Sequence, residues 1–211
     1  MDLRALTSEL QRRFDEKMAA REAALTASRR AIRSSANAIR AIHRGEVAEA
    51  HRLMDEARDA LDRGLEAVTG HPDIYHAGYF QDAQKEYAEA RLTEAVVLGG
   101  DIPGPDELGV EPAPYLGGMS EAIGEARRSV LDLLRAGDAT RSEALLAAME
   151  DLYAVLVSMD YPDAVTGHLR RSTDVARSIL EKTRGDLSLS LVQRQLTEAL
   201  ERHADHLHGD R

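Results

Sequence analysis

The stretch that decides the fold is residues 3–44, LRALTSELQRRFDEKMAAREAALTASRRAIRSSANAIRAIHR. Apolar side chains recur in it at intervals of three and four residues, and then at intervals of seven, from Leu3 to Ile39. That periodicity is typical of one face of an α-helix. Gly45 ends the pattern, so we predict one helix that runs nearly unbroken to Arg44. A helix of that length favours long antiparallel packing or a seam between subunits, because one small core layer cannot bury its whole apolar stripe.

The rest of the chain is also helical in pattern, and no segment alternates like a β-strand. A Gly/Pro-rich stretch at 99–114 is the one long loop that we predict, and we expect a frayed tail at 203–211. Since no linker or repeat divides the sequence, we predict a single all-α domain over residues 1–211, a seven-helix bundle with a long first helix. Glycines and prolines separate the six further predicted helices, at about 46–68, 72–98, 114–135, 138–159, 163–183 and 188–207.

Composition excludes several classes of site and partner. The chain has no cysteine, which excludes disulfides, thiolate zinc sites and cysteine nucleophiles. No uncharged apolar run approaches the length of a membrane span and the N-terminus is charged, so we expect a cytoplasmic protein without a membrane segment. The formal net charge of -10 argues against adhesion to nucleic acid over the whole surface, because the average field repels phosphate. Any contact with nucleic acid must therefore be local.

Two short acidic segments are the candidates for a metal site. Residues 84–90 read QKEYAEA and residues 115–125 read YLGGMSEAIGE. On a helix, the two carboxylates of each pair lie about 40 to about 60 degrees apart and away from the apolar stripe of their segment. That placement alone favours ordinary solvated glutamates. The candidate pairs are Glu86 with Glu89, and Glu121 with Glu125.

Three glycines beside the second pair weaken that interpretation. Gly117, Gly118 and Gly124 fall inside a predicted helix, where each costs roughly 1 kcal/mol relative to alanine. Such glycines indicate that another element approaches closely beside the acidic residues. Four carboxylates brought together would bind Mg2+ or Mn2+, since oxygen-only ligation selects these ions. The absence of a Glu-x-x-His partner argues against a di-iron carboxylate centre.

A basic stripe follows the first predicted helix. Its members lie within about 80 degrees of one another, which suits either a phosphate backbone or pairing with acidic neighbours. Aromatic residues make up only 4% of the chain, so we expect contacts with the phosphate backbone of the nucleic acid rather than base stacking. We assign no general base to any histidine. The stripe comprises Arg29, Arg33, Asn37, Arg40 and Arg44, and further candidates are Arg127, Arg128, Arg170 and Arg171.

Taken together, segments 84–90, 115–125, 42–44 (IHR) and 183–187 (TRGDL) resemble the translin family. Within it they are similar to the branch of translin-associated factor X (Trax) and its archaeal homologues, over nearly the whole chain. The resemblance implies seven-helix subunits that assemble into a hollow octameric barrel and bind single-stranded RNA or DNA. In the Trax branch it further implies cleavage of RNA with Mg2+ held by acidic residues.

The resemblance assigns those acidic positions to residues of this chain. They fall on Glu86, Glu89, Glu121 and Glu125. The chain departs from the Trax pattern at Glu121, where the branch has an aspartate, so we expect a different metal geometry there.

The leading hypothesis is therefore a Mg2+-dependent or Mn2+-dependent endoribonuclease that acts on single strands inside a homo-oligomer. In it Glu86, Glu89 and Glu121 hold the metal, while Glu125 completes the ligation or orients a water molecule. One alternative is a single-strand-binding protein without catalysis, whose carboxylates are structural. A further alternative is a helical scaffold with no nucleic-acid role, for which the net charge is the best argument.

Overall fold

The computed structural model describes residues 2–209, and within them the chain folds into helices without a β-strand. The predicted all-α class and the long first helix are confirmed. Six helices are long, and three others are single turns between them. In chain order they are α1 (Leu3–His43), α2 (Val47–Ala67), α3 (Pro72–Tyr75), α4 (Tyr79–Leu98), α5 (Pro105–Leu108), α6 (Pro112–Arg135), α7 (Ala139–Ser158), α8 (Asp163–Thr166) and α9 (Leu169–Gly209).

The predicted break at 184–186 is wrong, because one continuous helix, α9, spans it. Gly185 keeps a helical conformation there, and Thr183 and Leu187 on either side are buried. A helical glycine costs only about 1 kcal/mol, which the packing of its neighbours offsets. The break lies earlier instead, at Gly167 and His168, which both have positive φ. The predicted sixth and seventh helices are therefore the single turn α8 followed by α9.

Other predicted boundaries shift by smaller amounts. The predicted third helix is divided into α3 and α4 at Gly78, whose φ of 97° is not helical. The Gly/Pro loop at 99–114 contains the single turn α5, and α6 begins at Pro112 rather than at 114. Helix α9 continues through 203–209, where we expected a frayed tail, and residues 210 and 211 lie outside the described residues.

Helices α4 and α6 form the centre of the fold and pack against each other. The pair α1 and α2 covers α4, while α7 and α9 cover α6. Phe80 and Leu92 of α4 and Ile123 and Val130 of α6 are buried in the core between these layers. The two acidic segments therefore lie on the two central helices.

Helices α4 and α6 approach each other closely at Gly118. A Cβ atom at this position would lie 2.6 Å from the carbonyl oxygen of Lys85 and 2.7 Å from the backbone nitrogen of Glu89. Side chains do not approach backbone atoms that closely, so only glycine fits. A Cβ at Gly124 would meet only a methyl group of Ile179, at 3.8 Å, which is ordinary contact. The predicted close approach is thus confirmed at Gly118 but does not explain Gly124.

None of the helices within residues 2–209 has the length and hydropathy that crossing a bilayer requires.

The two longest helices, α1 and α9, each carry a set of apolar side chains that is exposed in the single chain. Spacings of three and four residues place each set on one helix face. The α1 stripe, 43% to 68% exposed, comprises Leu3, Leu6, Leu10, Phe14 and Met18; the α9 stripe, 58% to 61% exposed, comprises Leu189, Val192, Leu196 and Leu200.

We expect Gly118→Ala to lower the free energy of unfolding by about 1–3 kcal/mol, because the added methyl group forces α4 and α6 apart. The matched change Gly124→Ala has room for its methyl group and is expected to raise that free energy by up to about 1 kcal/mol through helix propensity. Urea denaturation of both variants measures the difference. A Gly118→Ala variant as stable as the wild type would contradict the close packing.

Candidate metal centre

The carboxylates of three glutamates from the two central helices lie close together. Glu86 and Glu89 of α4 and Glu121 of α6 each have a carboxylate oxygen within 4.8 Å of the other two. Oxygen ligands of one Mg2+ lie about 2.1 Å from the ion, and so up to about 4.2 Å apart. A small rotation of the side chains would therefore close this acidic trio around one ion. The longer side chain of Glu121, compared with an aspartate, does not keep it away from the other two.

The local structure explains why these carboxylates converge. Glu86 and Glu89 are three residues apart and so lie on one face of α4. Glu121 is likewise one turn beyond Gly118, the residue at which α6 touches the backbone of α4. The close approach at Gly118 therefore brings the two acidic helix faces together.

Glu89 is the most enclosed member of the trio, with 8% of its surface exposed. Burial raises the pKa of Glu89 to about 8, and the neighbouring charges of Glu121 and Glu86 act in the same direction. A buried carboxylate beside two others is stable only with a proton or with a cation nearby. Both the donor atoms and the electrostatics of the trio thus suit a divalent cation.

Lys85 lies against the trio, although sequence analysis gave it no role. Its Nζ donates hydrogen bonds to the two carboxylate oxygens of Glu121, at 2.6 and 2.9 Å, and lies 3.3 Å from Oε1 of Glu86. Burial by itself would lower the pKa of Lys85, but the hydrogen bond to Glu121 and the nearby carboxylates outweigh it and raise the pKa. Lys85 is therefore charged at neutral pH.

Glu125, which sequence analysis grouped with the other three, is held by a different partner. Its Oε2 lies 2.5 Å from Nε2 of His43, and Nδ1 of this histidine lies 3.4 Å from the hydroxyl of Ser129. The hydrogen bond from His43 lowers the pKa of Glu125. The side chain of His43 is only 3% exposed. The structure thus places Glu125 outside the trio, and its role as a metal ligand stays a prediction.

Glu89 and Glu121 of the trio line one cleft together with Glu125, between α6 and the first half of α9. The cleft has a volume of about 390 Å³. Arg171 and Ser172 of α9 also line it. The cleft thus combines carboxylates of α4 and α6 with an arginine of α9.

The predicted nucleic-acid-binding arginines have contrasting environments. Arg29 and Arg33 are exposed and line a groove of about 480 Å³ between α1 and α2. Arg30, which sequence analysis did not single out, lines the same groove. We call it the arginine groove. Within the described part of the chain, these three arginines form no ion pair.

The other predicted arginines are bonded within the chain or lie apart from the groove. Arg40 donates to the side chain of Asn37, and Arg44 pairs with Glu46. Arg127 joins α6 to α9 by hydrogen bonds to Thr183 and Asp186, while Arg128 is exposed.

The pKa of Glu89 makes stability depend on pH. Its ordinary value is 4.5 and its value in the folded protein is about 8. The protonated carboxyl contributes stability that is fully present below pH 4.5 and is lost as the pH rises towards 8, because the unfolded chain releases this proton first. We therefore expect wild type to lose stability relative to Glu89→Gln across this range, in urea denaturation with EDTA.

Glu143→Gln, a change to an exposed glutamate on α7, is the control and should follow wild type at every pH. A stability difference between wild type and Glu89→Gln that stays constant with pH would contradict the raised pKa.

Comparison with known proteins finds relatives over most of the chain. No protein-family model matches it. An uncharacterised protein of Methanocaldococcus jannaschii is 33% identical over 189 residues, which cover 86% of this chain and 81% of that protein. The structures of AfC3PO and of an AfC3PO complex with duplex RNA each align with a TM-score of 0.82 and 33% identity, covering 90% of this chain and 98% of theirs. Apo-NeC3PO, 22% identical, aligns over 90% of this chain and 97% of its own with a TM-score of 0.76, and this similarity supports the fold alone.

Proposed function

This chain belongs to the C3PO family of translin and Trax proteins, and we propose that it binds RNA and cleaves it as a metal-dependent endoribonuclease. The observation that carries the proposal is the convergence of Glu86, Glu89 and Glu121 beside a cleft. The related AfC3PO forms a complex with duplex RNA, which supports RNA as the substrate class. Single-stranded RNA is the substrate that we propose, with single-stranded DNA as a further ligand.

The proposed cofactor is Mg2+ or Mn2+, held by Glu86, Glu89 and Glu121. Three carboxylates supply only hard oxygen donors, which these ions prefer. When bound, such an ion lowers the pKa of a coordinated water molecule and stabilises charge that develops on the phosphate.

The residues around the trio would position the reactants. The pKa of Glu125 is lowered, so its carboxylate is ionised at neutral pH and can orient a water molecule by accepting its hydrogen bond. His43 fixes the direction of that carboxylate. Arg171, which lines the same cleft, would neutralise a phosphate oxygen.

We expect Glu89→Gln to lower the rate of cleavage of a labelled single-stranded RNA by about a hundredfold or more, because the variant keeps the side-chain shape but loses the charge that holds the ion. EDTA should abolish cleavage by wild type, and Mg2+ or Mn2+ should restore it. Glu143→Gln is the matched control and should cleave at the wild-type rate. Binding of RNA in EDTA should be the same for all three proteins.

The second candidate function is RNA binding without catalysis, and the arginine groove favours it. Three guanidinium groups without an ion pair among the described side chains concentrate positive potential at one place in a chain of net charge -10. Binding by wild type without turnover in any divalent ion would exclude the nuclease and leave this candidate. The third candidate, a helical scaffold without a nucleic-acid role, would show no binding at all.

We expect Arg29→Gln combined with Arg33→Gln to weaken RNA binding and to reduce the slope of log affinity against log salt by roughly 0.7 for each phosphate that the variant no longer neutralises. The control is Arg135→Gln, which changes an exposed arginine at the end of α6. Filter binding over a salt series, with single-stranded and duplex RNA of equal length, measures both the slope and the preference for single strands. A slope identical to that of wild type would show that the arginine groove does not bind phosphates.

We further propose that copies of this chain cover the α1 stripe and the α9 stripe in a homo-oligomer. Contiguous apolar faces of this kind mark interfaces, and their periodic spacing suits helix packing between subunits. An octamer is the assembly that the family resemblance implies. Light scattering measures the mass of the assembly, and a monomer would contradict this proposal.

A further inference from the structure

Lys85 lies against the acidic trio, where its ammonium group pairs with Glu86 and Glu121. In the part of the chain whose side chains the structure describes, it is the only basic residue that forms an ion pair with Glu86 or Glu121. Its ammonium group donates hydrogen bonds to both carboxylate oxygens of Glu121. The position next to Glu121 that a divalent ion would take is thus already held by a positive charge.

The aliphatic part of the Lys85 side chain is packed against α6, in addition to the hydrogen bonds of its ammonium group. A Cβ atom at Gly117 would lie 3.2 Å from both Cγ and Cδ of Lys85, so the absence of a side chain there leaves room for the stem to cross α6. The side chain is 28% exposed. Packing therefore directs the ammonium group onto Glu121, and does not leave it free at the surface.

We propose that Lys85 is a positioning residue that competes with the divalent ion for Glu121 and thereby sets the metal affinity of the site. This inference rests on the proposed function of the trio as a metal centre. A carboxylate whose two oxygens accept charged hydrogen bonds is a poorer ligand, and two cations at one carboxylate repel each other. Binding of the metal therefore requires that the ammonium group release Glu121.

The direct test compares Mn2+ binding, by isothermal titration calorimetry without RNA, for wild type, Lys85→Met and Lys85→Arg. Methionine keeps an unbranched stem over Gly117 but removes the charge. We expect Lys85→Met to bind Mn2+ about tenfold more tightly than wild type, and Lys85→Arg, which keeps the charge, to stay close to wild type. Lys182→Met, a change to an exposed lysine of α9, is the control and should bind like wild type.

Urea denaturation distinguishes competition from a merely structural role. In EDTA, Lys85→Met should be less stable than wild type, because the trio has lost its counter-charge. Saturating Mn2+ should stabilise Lys85→Met more than it stabilises wild type. If Lys85 only supported the fold, Lys85→Met would be less stable than wild type by the same amount with and without Mn2+.

Each outcome bears on one or both proposals. Equal Mn2+ affinity of wild type and Lys85→Met overturns the role of Lys85 and leaves the metal centre standing. Binding by Lys85→Met but not by wild type supports the competition and overturns the proposed metal-dependent function of the natural chain. Absence of Mn2+ binding in both proteins overturns both.

Discussion

The close approach of α4 and α6 at Gly118 is the constraint on which the site depends. Packing of core residues such as Phe80 and Ile123 holds the two helices together, and only a residue without a side chain allows their backbones to come this near. Three carboxylates are thereby forced close to one another, which their repulsion alone would oppose. Hydrophobic burial thus supplies the free energy that assembles an electrostatically unfavourable group.

That repulsion has two remedies within the chain. Glu89 retains a proton, since its pKa is raised to about 8, and Lys85 sets an ammonium group against Glu121 and Glu86. Both the proton on Glu89 and the ammonium group of Lys85 stabilise the metal-free fold. A divalent ion that binds at the trio displaces them. The affinity of the proposed centre is therefore a balance between the ion and these two internal cations, the proton and the lysine.

Sequence reasoning predicted the helices well, because apolar periodicity is a local signal, and Gly118 indicated where two helices meet. The continuity of α9 was missed, since a single glycine at 185 does not end a helix whose neighbours are buried. Local signals did not predict the contacts of Lys85 with Glu121 or of His43 with Glu125. Lys85 meets a partner 36 residues away and His43 one 82 residues away, so their roles arise only when separate helices pack together.

Two of the glutamates that sequence reasoning grouped together, Glu89 and Glu125, differ in their acid–base chemistry. The pKa of Glu89 is raised by burial and by neighbouring carboxylates, whereas the pKa of Glu125 is lowered by His43. Environments that push the pKa values of nearby acids apart give those acids different tasks. A carboxylate that ionises only when a cation compensates it suits metal binding, and one that is ionised without a metal suits the orientation of water. His43 comes from α1, whereas the carboxylates of the trio come from α4 and α6, so the hydrogen bond that lowers the pKa of Glu125 depends on a contact between α1 and α6.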